Sequence, residues 1–212
     1  MTKSDTPKTG KIIMFDGPDG AGKTVQLTMA ADALRKQGYD VYCTRIHGGT
    51  PLGELLREVS LSDTPRTPLA DLLLSQVIQV ELAHDLGKRL RHGHICLIDR
   101  SPLSMWAYQV RGSGLDEDIA RPVIASSLSL LHPDDMLIYN TTLEILRQRL
   151  AGRGAAKSDY FESKPDAFHE RVIAGYNEAA AEFDATVIDA GRSIDAVHIE
   201  TMKHISRLLT DK

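Results

Sequence analysis

Gly17-Pro18-Asp19-Gly20-Ala21-Gly22-Lys23-Thr24 satisfies G-x-x-x-x-G-K-[ST] at every fixed position. The apolar run Lys11-Ile-Ile-Met-Phe-Asp16 leads into it. Leu27, Ala30, Ala31 and Leu34 follow at helical spacing, and Gly38 stands where a helix ends. A glycine-rich turn between a strand and a helix lets successive backbone N–H groups point inward at phosphate oxygens, and the helix N-terminus adds partial positive charge. All eight residues are therefore candidates to bind ATP. Lys23 would supply a full charge to the β and γ phosphates, and Thr24 a hydroxyl to Mg²⁺.

Outward from this loop, short apolar runs alternate with longer helical segments. Tyr39–Arg45, His94–Asp99, Met136–Asn140 and Thr186–Asp189 read as strands beside the first one. Between Leu69 and Leu90, one stripe carries Leu69, Leu73, Val77, Val80 and Leu90, and a second apolar face carries Leu72, Leu74, Ile78 and Leu82. A helix apolar on two sides is expected to cover the sheet and line a pocket. Ser163 to Asp166 has the S-x-x-D form of a capping box, before a helix carrying Phe168, Val172, Tyr176 and Phe183. Strands alternating with helices of this length imply right-handed crossovers. The expected fold is α/β: one P-loop domain over residues 1–212, with a five-stranded, doubly wound parallel sheet. Residues 150–165, with Gly152, Gly154, Lys157 and Lys164, break the pattern and are expected to form a basic flap, or LID.

Composition excludes several classes. The chain has 212 residues, 25 Lys+Arg against 29 Asp+Glu, a net charge of −4, 42% hydrophobic and 25% charged residues, which is the balance of an ordinary globular protein. There is no basic surplus for a nucleic-acid polymer, and no run of roughly 18 apolar residues to cross a membrane. Residues 1–10 are polar and unlike a signal peptide, so a cytoplasmic location is expected. Cys43 and Cys96 stand in strand-like runs without a CxxC partner and are expected to be buried small hydrophobes.

A phosphate-binding loop of this kind needs a carboxylate near the metal, at the end of a neighbouring strand. Asp99 ends the run His94–Ile98, and Arg100 follows it. In an open α/β sheet ligands gather at the carboxyl ends of the strands, so Asp99 is a metal candidate and Arg100 a phosphate candidate. Arg45 ends another strand and would meet a second anion, since Lys23 and the loop amides already serve ATP. Arg149, Arg153 and Lys157 lie in or beside the flap, where they could close over a transferring phosphoryl group. A phosphate acceptor is largely ionised at neutral pH and needs charge clamps rather than a general base. A hydroxyl acceptor needs a carboxylate, which Asp16 or Asp19 could provide. Arg45, Arg100 and Arg153 fit the phosphate acceptor better. No N-K-x-D tetrad occurs, which disfavours a GTPase switch.

Taken together, the motifs resemble those of the thymidylate kinases, which phosphorylate dTMP to dTDP with ATP in dTTP biosynthesis. Phe15-Asp-Gly-Pro-Asp-Gly-Ala-Gly-Lys-Thr24 opens the resemblance. Thr44-Arg45-x-x-Gly48-Gly49-Thr50 is similar to T-R-E-P-G-G-T, Asp99-Arg100 with Ser104, Ala107, Tyr108 and Gln109 to D-R-Y-x-x-S-x-x-A-Y-Q, and Asp159-x-x-Glu162 to D-R-x-E. The resemblance implies that Arg45 and Arg100 hold the acceptor monophosphate, that Asp99 organises Mg²⁺, and that Asp19 approaches a 3′-hydroxyl. It implies that Tyr108 and Gln109 flank sugar and base, that Arg153, or else Arg149, is the flap's catalytic arginine, and that the chain is a homodimer. At the base site the family's phenylalanine and arginine fall on Leu74 and Ile78. That exchange removes stacking worth about 0.5–1.5 kcal/mol and a charged hydrogen bond worth about 1.5–3 kcal/mol. Ile46, His47, Ser101 and Tyr160 also depart from the family pattern. The alternatives are a monophosphate kinase with another base preference, a deoxyribonucleoside kinase using Asp16 as base, suggested by Asp99-Arg-Ser101, and a nucleotide-binding regulator without turnover.

Overall fold

The computed structural model describes residues 10–152 and 160–210. Five strands, β1 (Lys11–Asp16), β2 (Val41–Arg45), β3 (Ile95–Asp99), β4 (Asp135–Asn140) and β5 (Thr186–Asp189), form one sheet in the order β2-β3-β1-β4-β5. Every pairing is parallel. The alternation read from sequence thus holds in kind and nearly in extent. Parity along the strands sorts the core. Ile12, Met14, Cys96, Ile98, Met136 and Ile138 face one side, and Ile13, Phe15, Leu97, Leu137, Tyr139 and Ile188 face the other. Both sides are covered, so the inner strands need apolar residues at every position.

On the first side lie α3 (Pro68–Arg91), the short α4 (Leu103–Met105) running into a π-helix (Trp106–Gly112), α5 (Glu117–Leu131) and α7 (Asp166–Glu182). The second side is covered by α1 (Lys23–Lys36) and α8 (Ile194–Thr210), with Leu146 from α6 (Leu143–Ala151). α2 (Pro51–Leu61) packs on α3. Gly112 closes the π-helix against α7, where an added Cβ would stand 2.6 Å from Phe168 Cε2.

Register brings the functional strand ends to one edge. Asp99 pairs with Phe15 on one side and Arg45 on the other, so both residues come level with the start of the phosphate loop. The order of the strands reverses about β1, and such a switch point opens a crevice at the carboxyl edge.

Three expectations change. Cys96 is buried and its thiol pKa is pushed up to about 12 by that burial, but Cys43 is exposed, because β2 is an edge strand. In α3 the face with Leu72, Ile78 and Leu82 is buried, whereas Leu69, Leu73, Val77 and Val80 stand 37–48% exposed. Only Leu90 of that stripe packs on the core. The capping box does not form: Pro165 is the N-cap of α7, and the Ser163 hydroxyl donates instead to the Tyr160 carbonyl. Proline holds the extended backbone that a cap needs, so the serine is not required.

Candidate active site

The phosphate loop forms because its glycines accept left-handed backbone. Gly17, Gly20 and Gly22 have φ of 138°, 89° and 94°. At Gly17 a Cβ would stand 2.1 Å from the Tyr139 carbonyl oxygen, so the loop must pass over β4 without a side chain. Gly22 is the N-cap of α1 and brings no side chain to the helix N-terminus, whose first turn also lacks an acidic residue. Those amides are left for an anion.

A cleft of about 410 Å³ opens beside them, lined by Asp19, Gly22, Lys23 and Thr24 of the loop. Arg45, Asp99, Arg100, Tyr108 and Gln109 line it as well. Lys23 is buried, its ammonium donating to the Pro18 carbonyl at 3.0 Å and standing 3.5 Å from Asp19. Burial lowers its pKa and Arg100 adds to this, while Asp19, Asp99 and Asp16 oppose it. Arg100 donates to Asp19 Oδ1, and the Tyr108 hydroxyl donates to Asp19 Oδ2 at 2.9 Å. Burial of Asp19 would raise its pKa, but Arg100, Lys23 and the Tyr108 hydrogen bond together hold it well below the usual carboxylate range. One carboxylate thus sits between the cation of the loop and the cation that follows β3.

Thr24 Oγ1 donates to Asp99 Oδ2 at 2.6 Å. A hydroxyl and a carboxylate oxygen, side by side at the cleft, are the hard oxygen donors that Mg²⁺ takes when phosphates and water complete its shell. The described residues contain no cluster of three or more His, Cys, Asp or Glu side chains for a metal held by protein alone. Arg45 lines the cleft but ion-pairs with Glu54 of α2 at 2.6 Å, and Glu54 also accepts from the Gly49 amide. Arg149 lies outside the cleft lining: it donates to Ala190 O at 2.8 Å and Ala21 O at 3.5 Å, tying the loop to the segment after β5. Arg153, Lys157 and Asp159 fall outside the described residues.

Leu74 and Ile78 do not line the cleft, which corrects their assignment to its wall. Ile78 is fully buried, and the residues that α3 presents to the cleft are Asp71 and Ser75, one helical turn apart on one face. Both are polar residues in an apolar context, which gave no sign of a site in sequence. Asp71 accepts from Arg66, whose guanidinium also donates to Ser62 O at 3.1 Å and lies 4.9 Å from the Tyr160 ring centroid. Ser75 Oγ lies 3.1 Å from His47 Nε2, and Arg57 donates to the His47 carbonyl at 2.9 Å. Phe161 brings a ring to the cleft, 5.2 Å from that of Tyr108. His47, Arg57, Asp71, Ser75, Met105 and Phe161 are therefore lining residues that sequence reading did not assign. His47 alone had a signal, as the residue standing where the family has proline.

Burial against the cleft wall, then Arg100 and Arg57, hold the His47 pKa below its usual 6.5. The folded protein therefore binds this proton more weakly than the unfolded chain does, and stability is lost as pH falls through about 6.5. His47→Gln is expected to flatten the decline of the thermal midpoint between pH 7 and pH 4. An unchanged decline would remove His47 from the acid response.

The Asp16 carboxylate, a possible base in the nucleoside-kinase reading, is fully buried and absent from the cleft lining. Its two oxygens accept from Gly17 N, Ser101 N and the hydroxyls of Ser101, Ser104 and Tyr176. A carboxylate engaged in this way cannot reach a substrate hydroxyl.

Residues 15–201 match the family model described as thymidylate kinase. The chain is 34% identical over 208 residues to a thymidylate kinase of an Exiguobacterium species, covering 94% of this chain and 96% of that one. It is 36% identical to one from Alkalilimnicola ehrlichii, covering 89% and 88% of the two chains. Identity to one from Cupriavidus metallidurans is also 36%, covering 94% and 99%.

Proposed function

We infer the reaction from one premise: the chain belongs to the thymidylate kinase family. It is a nucleoside monophosphate kinase that phosphorylates dTMP to dTDP with ATP. The observation that carries the site assignment is the meeting of Lys23, from the ATP loop, with Arg100, from the end of β3, at one oxygen of Asp19, Oδ1. Two cations at one carboxylate suit two phosphates brought end to end. Arg100, with Arg45 once its pairing with Glu54 is exchanged, would clamp the acceptor phosphate. Phosphoryl transfer then needs positioning and charge, with little demand on a general base.

Thr24 and Asp99 are the residues that would hold Mg²⁺. Bound there, the ion would neutralise charge on the ATP phosphates. Tyr108, fixed by its bond to Asp19, would flank the deoxyribose, and Gln109, Ser75 and Phe161 the base. The flap arginine remains assigned to Arg153, since Arg149 is engaged with backbone carbonyls.

Two measurements test this reading together. ADP release with Mg·ATP should be fastest with dTMP in a panel of dTMP, dUMP, UMP, dCMP, CMP, dGMP and thymidine. Arg45→Ala should raise the KM for dTMP about 10-fold while changing any residual activity on thymidine far less. Faster turnover of thymidine than of dTMP would transfer the assignment to a nucleoside kinase.

The chain has no helix, among the described residues, long and apolar enough to cross a membrane, in keeping with a cytoplasmic enzyme acting on small nucleotides. The exposed stripe Leu69, Leu73, Val77 and Val80 on α3 supports a homodimer. Val77→Asp should halve the mass seen by light scattering at micromolar concentration. A wild-type monomer in the same measurement would refute the dimer.

A further inference from the structure

Asp16 ends β1, is fully buried, and receives hydrogen bonds from three directions. From the start of the phosphate loop comes the Gly17 amide, 2.8 Å from Oδ1. From the segment after β3 come the Ser101 amide at 2.9 Å and hydroxyl at 2.7 Å, both to Oδ2, and, from α4, the Ser104 hydroxyl at 2.9 Å from either oxygen. From α7 comes the Tyr176 hydroxyl, 2.8 Å from Oδ1.

The same two hydroxyls touch Arg100. Its Nη1 is 3.5 Å from Ser104 Oγ and 3.4 Å from Tyr176 OH, which are themselves 3.1 Å apart. Each hydroxyl has a single proton. If both protons go to Asp16, both sets of lone pairs turn toward the guanidinium. Arg100 needs such support, because it adopts φ of 73°, a left-handed conformation that is strained for a residue with a side chain. Its amide is held by the Phe15 carbonyl at 2.8 Å, but its side chain is oriented by Asp19, Ser104 and Tyr176.

We propose that Asp16 is the positioning residue for Arg100: by accepting hydrogen bonds from Ser104 and Tyr176 it orients their lone pairs, and through the Gly17 amide it sets Arg100 in register with the ATP loop. The proposal rests on the reading that Arg100 clamps the acceptor phosphate. It also gives Ser101 a role, since the serine that stands in the place of the family's tyrosine contributes two of the donors to Asp16. An asparagine at position 16 has the same shape but presents N–H groups where one oxygen accepted. One hydroxyl would then have to reverse and point a proton at Arg100.

The test compares Asp16→Asn, Tyr176→Phe, Ser104→Ala and the double variant Asp16→Asn/Tyr176→Phe by steady-state kinetics on both substrates and by thermal midpoint. The acceptor is whichever monophosphate the wild-type enzyme turns over, so a failure with dTMP would revise the substrate and leave this comparison intact. Tyr176→Phe and Ser104→Ala should each raise the KM for the monophosphate about 10-fold and leave the KM for ATP within about two-fold. In the double variant, Tyr176→Phe should add nothing to the loss already caused by Asp16→Asn, because the shared path is already broken. If Asp16→Asn does not fold, the two conservative variants decide alone. Folded variants with an unchanged KM for the monophosphate, or with both KM values raised in parallel, would overturn the proposal and leave Asp16 a structural residue.

Discussion

Lys23→Ala is expected to lower kcat by about 10³-fold or more with every acceptor, because the lost ammonium is a charge placed where the transferring phosphoryl group develops its own. The surroundings argue that the fold survives the change. Lys23 donates to the Pro18 carbonyl and pairs with Asp19, and Asp19 keeps Arg100 and Tyr108 as partners when the lysine is gone. The thermal midpoint should therefore move by a few degrees at most, while ADP release falls to background. Turnover within tenfold of the wild type with any acceptor would remove the loop from the mechanism.

Arg100→Ala is the second large effect, and it should differ in kind. kcat/KM for dTMP should fall by about 10²-fold or more, since a charged hydrogen-bonding partner is worth roughly 1.5–3 kcal/mol and the guanidinium offers several such bonds. Stability should fall as well. Asp19 has a native pKa held below its unfolded value of 3.8, against the effect of its burial, by Arg100 and then Lys23. Such a group contributes stability at neutral pH and loses it as pH drops below about 4 through the lowered native value. Without Arg100 that contribution shrinks, so the variant should be less stable than the wild type at pH 7 and the gap should narrow toward pH 3. Thermal melts at the two pH values measure this directly. An equal gap at both would mean that Arg100 stabilises the fold by packing alone.

The two variants together separate the halves of the site. Lys23 belongs to a local motif, with its loop, helix and charge specified by eight consecutive residues. Arg100 depends on distant residues: Asp19 and Tyr176 meet it only because β3 lies beside β1 and α7 packs over the π-helix. The π-helix itself carries Tyr108 and Gln109 at the cleft, and a widened turn of this type is common where a helix must present side chains to a site.

Several features were legible because they are local. The strand–loop–helix unit at residues 11–36 needs only a short apolar run, glycines and a helical period. The parallel sheet follows from strands separated by helices, and Asp99 and Arg45 were readable as strand-end residues. The base side was not legible in the same way. The resemblance put the family's base-site positions on Leu74 and Ile78, yet the face of α3 that reaches the cleft carries Asp71 and Ser75, since helix rotation against the sheet is set by packing. Sequence also gave α3 two apolar faces without distinguishing the one in the core from the one left exposed.

From the sequence alone one reads a complete phosphate-loop motif at residues 17–24, on a parallel sheet whose next strand ends bring Asp99, Arg100 and Arg45. Those properties depend on neighbours along the chain and on periodicity, which any stretch of sequence carries with it. Only the tertiary structure decided that Asp19 lies between Lys23 and Arg100, that Asp16 is a buried hub and no base, and that His47, Ser75 and Phe161 line the cleft. Each of these joins residues far apart in sequence, through contacts that exist once the sheet and its covering helices have closed around them.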